Sequence, residues 1–319
     1  MNSFLHILLF LIILFIYLHV SQQHKISEDL EIYEMDYTNL PHLNEVCDLK
    51  QPVMFYYKDC NPQFFDALDY DRIDTYKSHD LRVLDIRDYW NDIINIDYAV
   101  LTLSSMRALT DSDKKACYFT EGNQLFIEDT GLTKAFKEND ELLCPALVLQ
   151  PSYDIMFGSP NCITPLRYHT HHRHFICVVS GKIRIKMTPW KSSKHLHPYK
   201  DLDMYEFRSP INVWKPQRKY FTEMDKLRFL EFDVPAGNIV YIPAYWWYSI
   251  QYGEEPDTIL ASFTYNNIAN TIANSSNLFL YLLQQSSTTF QPVKSKKIIA
   301  ESEAPIDMSL NEISTEDPR

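Results

Sequence analysis

The segment Val234–Ile250, VPAGNIVYIPAYWWYSI, limits the fold more than any other. It reads as a tight turn at Gly237, a hydrophobic strand, and two adjacent tryptophans at Trp246 and Trp247. It does not stand alone. His174–Val179 is a compact apolar run, Ser180-Gly181 is a turn signal, and Lys182–Met187 alternates polar with apolar. Two strands about a glycine turn predict a hairpin. Phe229–Val234, Ile239–Ile242 and Ile259–Phe263 supply further strands. So many short strands point to a double-sheet jelly roll or a barrel.

Upstream the pattern is weaker. Pro52–Tyr57 predicts a first strand, Leu81–Ile86 a half-buried strand, and Leu142–Gln150 another. Leu43–Leu49 predicts a short helix, and Asn267–Gln285 a helix that could cover a sheet edge or pair with a second copy. The expected organisation is an anchor over 1–24, a polar spacer over 25–50, a folded domain over 51–287, and a mobile polar tail over 288–319.

Composition removes several classes. With 45% hydrophobic residues, the 319-residue chain can bury a large core. Its 21 tyrosines and 18 phenylalanines suit strands. Only 6 glycines occur, and no glycine-rich phosphate loop is among them. A formal net charge of -12 disfavours general nucleic-acid binding, because phosphates are repelled. The trio Lys294, Lys296 and Lys297 sits in the expected tail and is followed by acids. None of the six cysteines forms a CxxC pair, so a zinc ribbon or redox motif is unsupported. No GxSxG elbow occurs, and the pair Glu254-Glu255 reads as a solvated turn.

Phe4–Val20 is almost wholly apolar. Its length lies at the short end of the roughly 17–25 residues that span a bilayer. A single-pass anchor and a cleaved signal both fit. The anchor is favoured, because no basic side chain precedes the run and no small-residue cleavage site follows it. A one-faced core helix does not fit a run that is apolar all round. Lys25 is the sole nearby base, so the side of the membrane is not indicated. The sequon at Asn274 is compatible with a lumenal domain.

Three blocks together resemble the JmjC-like cupin group of iron(II)/2-oxoglutarate oxygenases, most of all the asparaginyl-hydroxylase branch that inhibits hypoxia-inducible factor. They are Thr164–His169, Phe175–Ile185 ending near Thr188-Pro189, and Pro235–Trp247. The resemblance covers roughly 160–265, with Gln51-Pro-Val as a possible opening strand. It implies a double-stranded β-helix, the cupin jelly roll, with flanking helices. It also implies iron held by two histidines and one carboxylate, with a lysine gripping 2-oxoglutarate.

The chain departs from that pattern at each position. Aligned from Thr164, the His-x-Asp pair becomes Arg167 and His169. Aligned back from Phe175 and Gly181, it becomes Tyr168 and Thr170. Neither register contains the carboxylate. The distal histidine, after the second tryptophan, is Tyr248, and the lysine position is Ile183, with Lys182 and Arg184 beside it.

The pocket candidates are therefore Arg167, Tyr168, Lys182, Arg184, Trp247 and Tyr248, with His169 and His171 as candidate metal ligands. Six of the eleven histidines fall between 169 and 197, which reads either as a rewired metal site or as hydrogen-bonded and solvated imidazoles. Arg167 could bind a carboxylate or pair with a nearby acid. The tryptophans equally suit packing between sheets. The leading expectation is a membrane-anchored binding or scaffolding module with a degenerate site. It would need no cofactor and would take a peptide or small anionic ligand. The alternatives are an active iron(II)/2-oxoglutarate oxygenase with altered ligands, and a structural membrane protein that dimerises through 267–285.

Overall fold

Fifteen short strands carry the fold in the computed structural model, which describes residues 2–91, 96–202 and 205–288, and only the backbone of 2–4, 150, 287 and 288. In chain order they are β1 (Tyr33–Asp36), β2 (Val53–Tyr56), β3 (Asp80–Asp85), β4 (Asp97–Thr102), β5 (Tyr118–Thr120), β6 (Val148–Phe157), β7 (Arg167–Tyr168) and β8 (Arg173–Ser180). They continue as β9 (Lys182–Thr188), β10 (Tyr199–Asp201), β11 (Glu206–Arg208), β12 (Leu230–Pro235), β13 (Asn238–Tyr241), β14 (Trp247–Tyr252) and β15 (Ile259–Asn267).

Two six-stranded sheets result. The first runs β1-β2-β13-β8-β15-β6, and the second β10-β11-β7-β14-β9-β12. All neighbours pair antiparallel except β1 with β2. This is the jelly roll expected from the strand pattern. A small sheet, β4-β3-β5, flanks it.

Side chains alternate between faces, so each strand serves two layers. On β8, Phe175, Cys177 and Val179 point outward into a core built with the flanking helices. Ile176 and Val178 of the same strand point inward, against Ile183, Ile185, Met187 and Ile250 of the second sheet. The outer face of the second sheet has its own cluster, with Tyr168, Phe207 and Trp247. The tryptophan pair is split by the same rule: Trp246 enters the core between the sheets and Trp247 the outer cluster.

Two expectations are corrected. The stretch read as a spacer holds β1 and the helix Leu40–Asp48, which Asn39 caps; β1 extends the first sheet and Leu43, Val46 and Cys47 of the helix are buried. The predicted hairpin about Gly181 is not one. Strand β8 pairs with β13 and β15, whereas β9 pairs with β12 and β14. The chain passes from one sheet to the other at Gly181, whose φ of 71° suits glycine. A Cβ there would lie 2.9 Å from the Thr258 Cα, so the corner is tightly packed.

The helix Asn2–Gln23 contains a segment, Leu5–Gln23, long and apolar enough to cross a membrane. Its final turn is tied to the domain: Gln23 is buried, and its Oε1 lies 3.0 Å from Nδ1 of His172. The C-terminal helix reads as two, Ile268–Ala273 and Ser275–Thr288. The expected tail beyond Thr288, with its lysine trio, lies outside the described residues.

Candidate functional site between the sheets

Strand β7 contributes two residues, but its register fixes the site. Arg167 stands directly opposite Tyr248 of β14. Directly paired residues present their side chains on one face of a sheet. Across from them stand His174 of β8, Ser262 and Thr264 of β15, and Asp154 of β6, with His169 and His171 on the connection from β7 to β8. Together they line a cavity of about 450 Å³. Arg167 and His169, the residues of the register aligned from Thr164, both line the cavity.

The Arg167 guanidinium is forked onto Glu121: Nη1 donates to Oε2 at 2.5 Å, and Nη2 donates to Oε1. Burial opposes its charge, but Glu121 and then Tyr248 outweigh that and hold its pKa well above the ordinary value. The guanidinium also faces the Tyr248 ring, 5.4 Å from its centroid. Burial raises the Tyr248 phenol, with Arg167 acting against it, so the phenol is neutral at physiological pH.

Three imidazoles sit together. Ring centroids are 4.6 Å apart for His169 and His174, 5.3 Å for His169 and His171, and 6.2 Å for His171 and His174. Each is held through Nδ1. His169 accepts from the His171 N–H at 3.2 Å, His171 meets the Asn266 amide at 3.2–3.3 Å, and His174 meets Thr264 Oγ1 at 3.0 Å. Nε2 of His169 is buried without a hydrogen-bond partner among the described residues. Burial lowers all three pKa values, reinforced at His169 by His174 and His171. The cluster is neutral.

Asp154 accepts backbone N–H groups from Gly122, Asn123 and Ile155 at 2.8–2.9 Å. Burial nevertheless pushes its pKa up to about 7.

Of the other sequence candidates, only Tyr168 borders the cavity. Lys182 and Arg184 point out of the second sheet, because β9 alternates and Ile183 and Ile185 take the inner face. Arg184 pairs with Asp233 at 2.6 Å in solvent. Trp247 packs outside the cavity and donates to Ser193 Oγ at 2.7 Å. Tyr168 reaches the cavity rim while its ring stacks on Phe207. Sequence reasoning missed Glu121 and Asp154, and took in His174 only as a member of the histidine cluster. Glu121 lies in a stretch with no clear periodicity, and its partner is 46 residues away. Strand parity could have found His174, since it faces the same way as Ile176.

An iron triad of two histidines and one carboxylate does not fit these donors. Of the paired positions, one is a cation and one a neutral phenol. The carboxylates in the cavity lining are already engaged: Glu121 with Arg167, Glu206 with Arg208, and Asp154 with three backbone N–H groups. A guanidinium beside a divalent ion is repulsive. Ile183, where the resemblance implies the 2-oxoglutarate lysine, is buried in the core.

A jelly roll with a polar cavity between its sheets defines a cupin-type protein. Residues 99–271 match the cupin-like domain family, and the chain belongs to that family. Over 94 residues it is 29% identical to JmjC domain-containing protein D of Dictyostelium discoideum, covering 30% of this chain and 21% of that protein. Over 100 residues it is 26% identical to the lysine-specific demethylase JMJ30 of Arabidopsis thaliana, covering 31% of this chain and 23% of that protein. The aligned part is thus less than a quarter of the length of either relative. Neither relative's name specifies an asparaginyl hydroxylase, so the finer resemblance of the motif blocks is not confirmed by them.

Proposed function

We propose that this chain is a membrane-anchored cupin-like module whose cavity binds a polar ligand or peptide side chain without iron or 2-oxoglutarate. The observation that carries the reading is the Arg167–Glu121 fork opposite Tyr248, at positions where the motif resemblance implies metal ligands. Because Glu121 fills the arginine fork, a free anion would have to displace it. The neutral imidazoles, the Tyr248 phenol and the Ser262 and Thr264 hydroxyls suit an amide or a zwitterion better. The buried contact of Gln23 with His172 supports a retained anchor over a cleaved signal, since cleavage after the helix would remove it.

Thermal-shift titration of the full chain in detergent with amino acids, short peptides and dicarboxylates tests the binding role. At least one polar probe is expected to raise the melting temperature of the wild type but not of Tyr248→Phe. A flat response across the panel would remove the binding role.

A second reading rests on the histidine cluster. Nδ1 of His171 and of His174 lies against Asn266 Oδ1 and Thr264 Oγ1, oxygens that can accept the ring N–H as second-shell groups do for metal-binding imidazoles, while Nδ1 of His169 accepts from the His171 N–H. Closing on an ion, His169, His171 and His174 would make an altered metalloenzyme site. Metal bound by the wild type and lost in His169→Ala would establish it.

A further inference from the structure

A basic pocket lies apart from the cavity. It measures about 370 Å³ and is lined by Lys191, Lys194, His195, Lys226 and Arg228, over Leu30 and Leu227. Glu28 is the one acid in its lining, and it pairs with Lys191 at 2.9 Å. Both partners of that pair are exposed, so it holds little. The four Lys and Arg side chains are exposed as well. On a chain of net charge -12 this is a local reversal of sign.

Its position gives it meaning. Glu28 follows the apolar helix, which ends at Gln23, by five residues. At about 3.3–3.6 Å per residue, those five span at most roughly 18 Å. A second chain of contacts leads to the same place. Tyr245 Oη lies 3.3 Å from Nδ1 of His24, and the Tyr245 ring is 5.6 Å from that of Trp190, the residue before Lys191. Trp190 is 37% exposed. A half-exposed tryptophan with lysines beside the end of an apolar helix has the makeup of a membrane–water interface.

We infer that this pocket receives the phosphate headgroup of an anionic phospholipid and seats the domain against the bilayer. The inference rests on the membrane-anchored reading. Basic residues near such a surface each strengthen attraction by about fivefold, and salt weakens it. The phosphate would lie among Lys194, Lys226 and Arg228, with Lys191 exchanging Glu28 for it.

The test is hydrogen exchange of the full chain in nanodiscs of phosphatidylcholine, alone or with phosphatidylserine. Several-fold slower exchange over 188–195 and 226–228 is expected only with phosphatidylserine. It should be lost in Lys194→Gln/Arg228→Gln, a surface change that spares the core. Equal exchange in both discs, with Leu5–Gln23 protected, would overturn the headgroup site and leave the anchor standing. An unprotected Leu5–Gln23 would overturn the anchor itself. Protection produced by inorganic phosphate in phosphatidylcholine discs would reassign the pocket to a soluble anion and also overturn the inference.

Discussion

Arg167 and Glu121 are the residues on which the site turns, and their pairing makes a quantitative demand. Removing one member of a largely buried ion pair leaves the other without a counter-charge. Glu121→Gln should therefore cost about 2–4 kcal/mol, at or below the range for fully buried pairs because the cavity admits water. Adding Arg167→Met should recover most of that loss, and denaturant melts of the two variants would check it. The buried histidines predict a pH dependence. His172 is held down to about 2 by burial, then by Arg173 and Lys50, and His169, His171 and His174 are lowered too. These imidazoles fold neutral, so their stability is present above the unfolded value of 6.5 and is lost as pH falls below it. Asp154 acts oppositely: its contribution is present below 3.8 and is lost as pH rises towards about 7. Four imidazoles outweigh one carboxyl, so the melting temperature should fall between about pH 7 and about pH 5, and less steeply in His172→Gln. A melting temperature that rises with acidification would contradict this. From the sequence, Arg167, His169 and Tyr248 were visible as departures at motif positions. Glu121 and Asp154 were not, because their roles come from burial and from partners distant in the chain.

At the scale of elements, β3 and β9 were legible from alternation and β2, β8, β12, β13 and β15 as apolar runs, whereas β4, β5, β7, β10, β11 and β14 were not read as strands. Pairing was not legible. Strands β8 and β9 read as a hairpin because a glycine turn joins two apolar runs, yet local sequence does not say that the chain changes sheet there. What distinguishes a corner from a hairpin is the distant Thr258 packed on Gly181. Gly181→Ala should cost about 1–3 kcal/mol, combining a left-handed backbone with a clash against Thr258; thermal melts will show it. Strand β1 was missed because four mostly exposed residues carry little pattern and pair only at a sheet edge. The helices Ile268–Ala273 and Ser275–Thr288 expose Ile268, Ile272, Phe279, Leu280, Leu282 and Leu283. If they pair two copies, Leu282→Glu/Leu283→Glu should halve the mass measured by light scattering in detergent. An unchanged mass would remove self-association through this face.

At the scale of the molecule, the pieces form one arrangement: an apolar helix, its last turn docked on the domain by Gln23 and His24, and a jelly roll whose cavity holds the Arg167–Glu121 pair beside three imidazoles. The fold survives because its core asks only for apolar side chains on the inner faces, which Ile176, Ile183, Ile185 and Ile250 supply. The site is a separate matter, set by a handful of polar residues that can change while the core stays. The most direct test is the iron content of the full chain after exposure to iron(II) without oxygen and desalting. The account predicts no retained iron, in the wild type as in His169→Ala. Near one iron per chain, lost in His169→Ala, would contradict it.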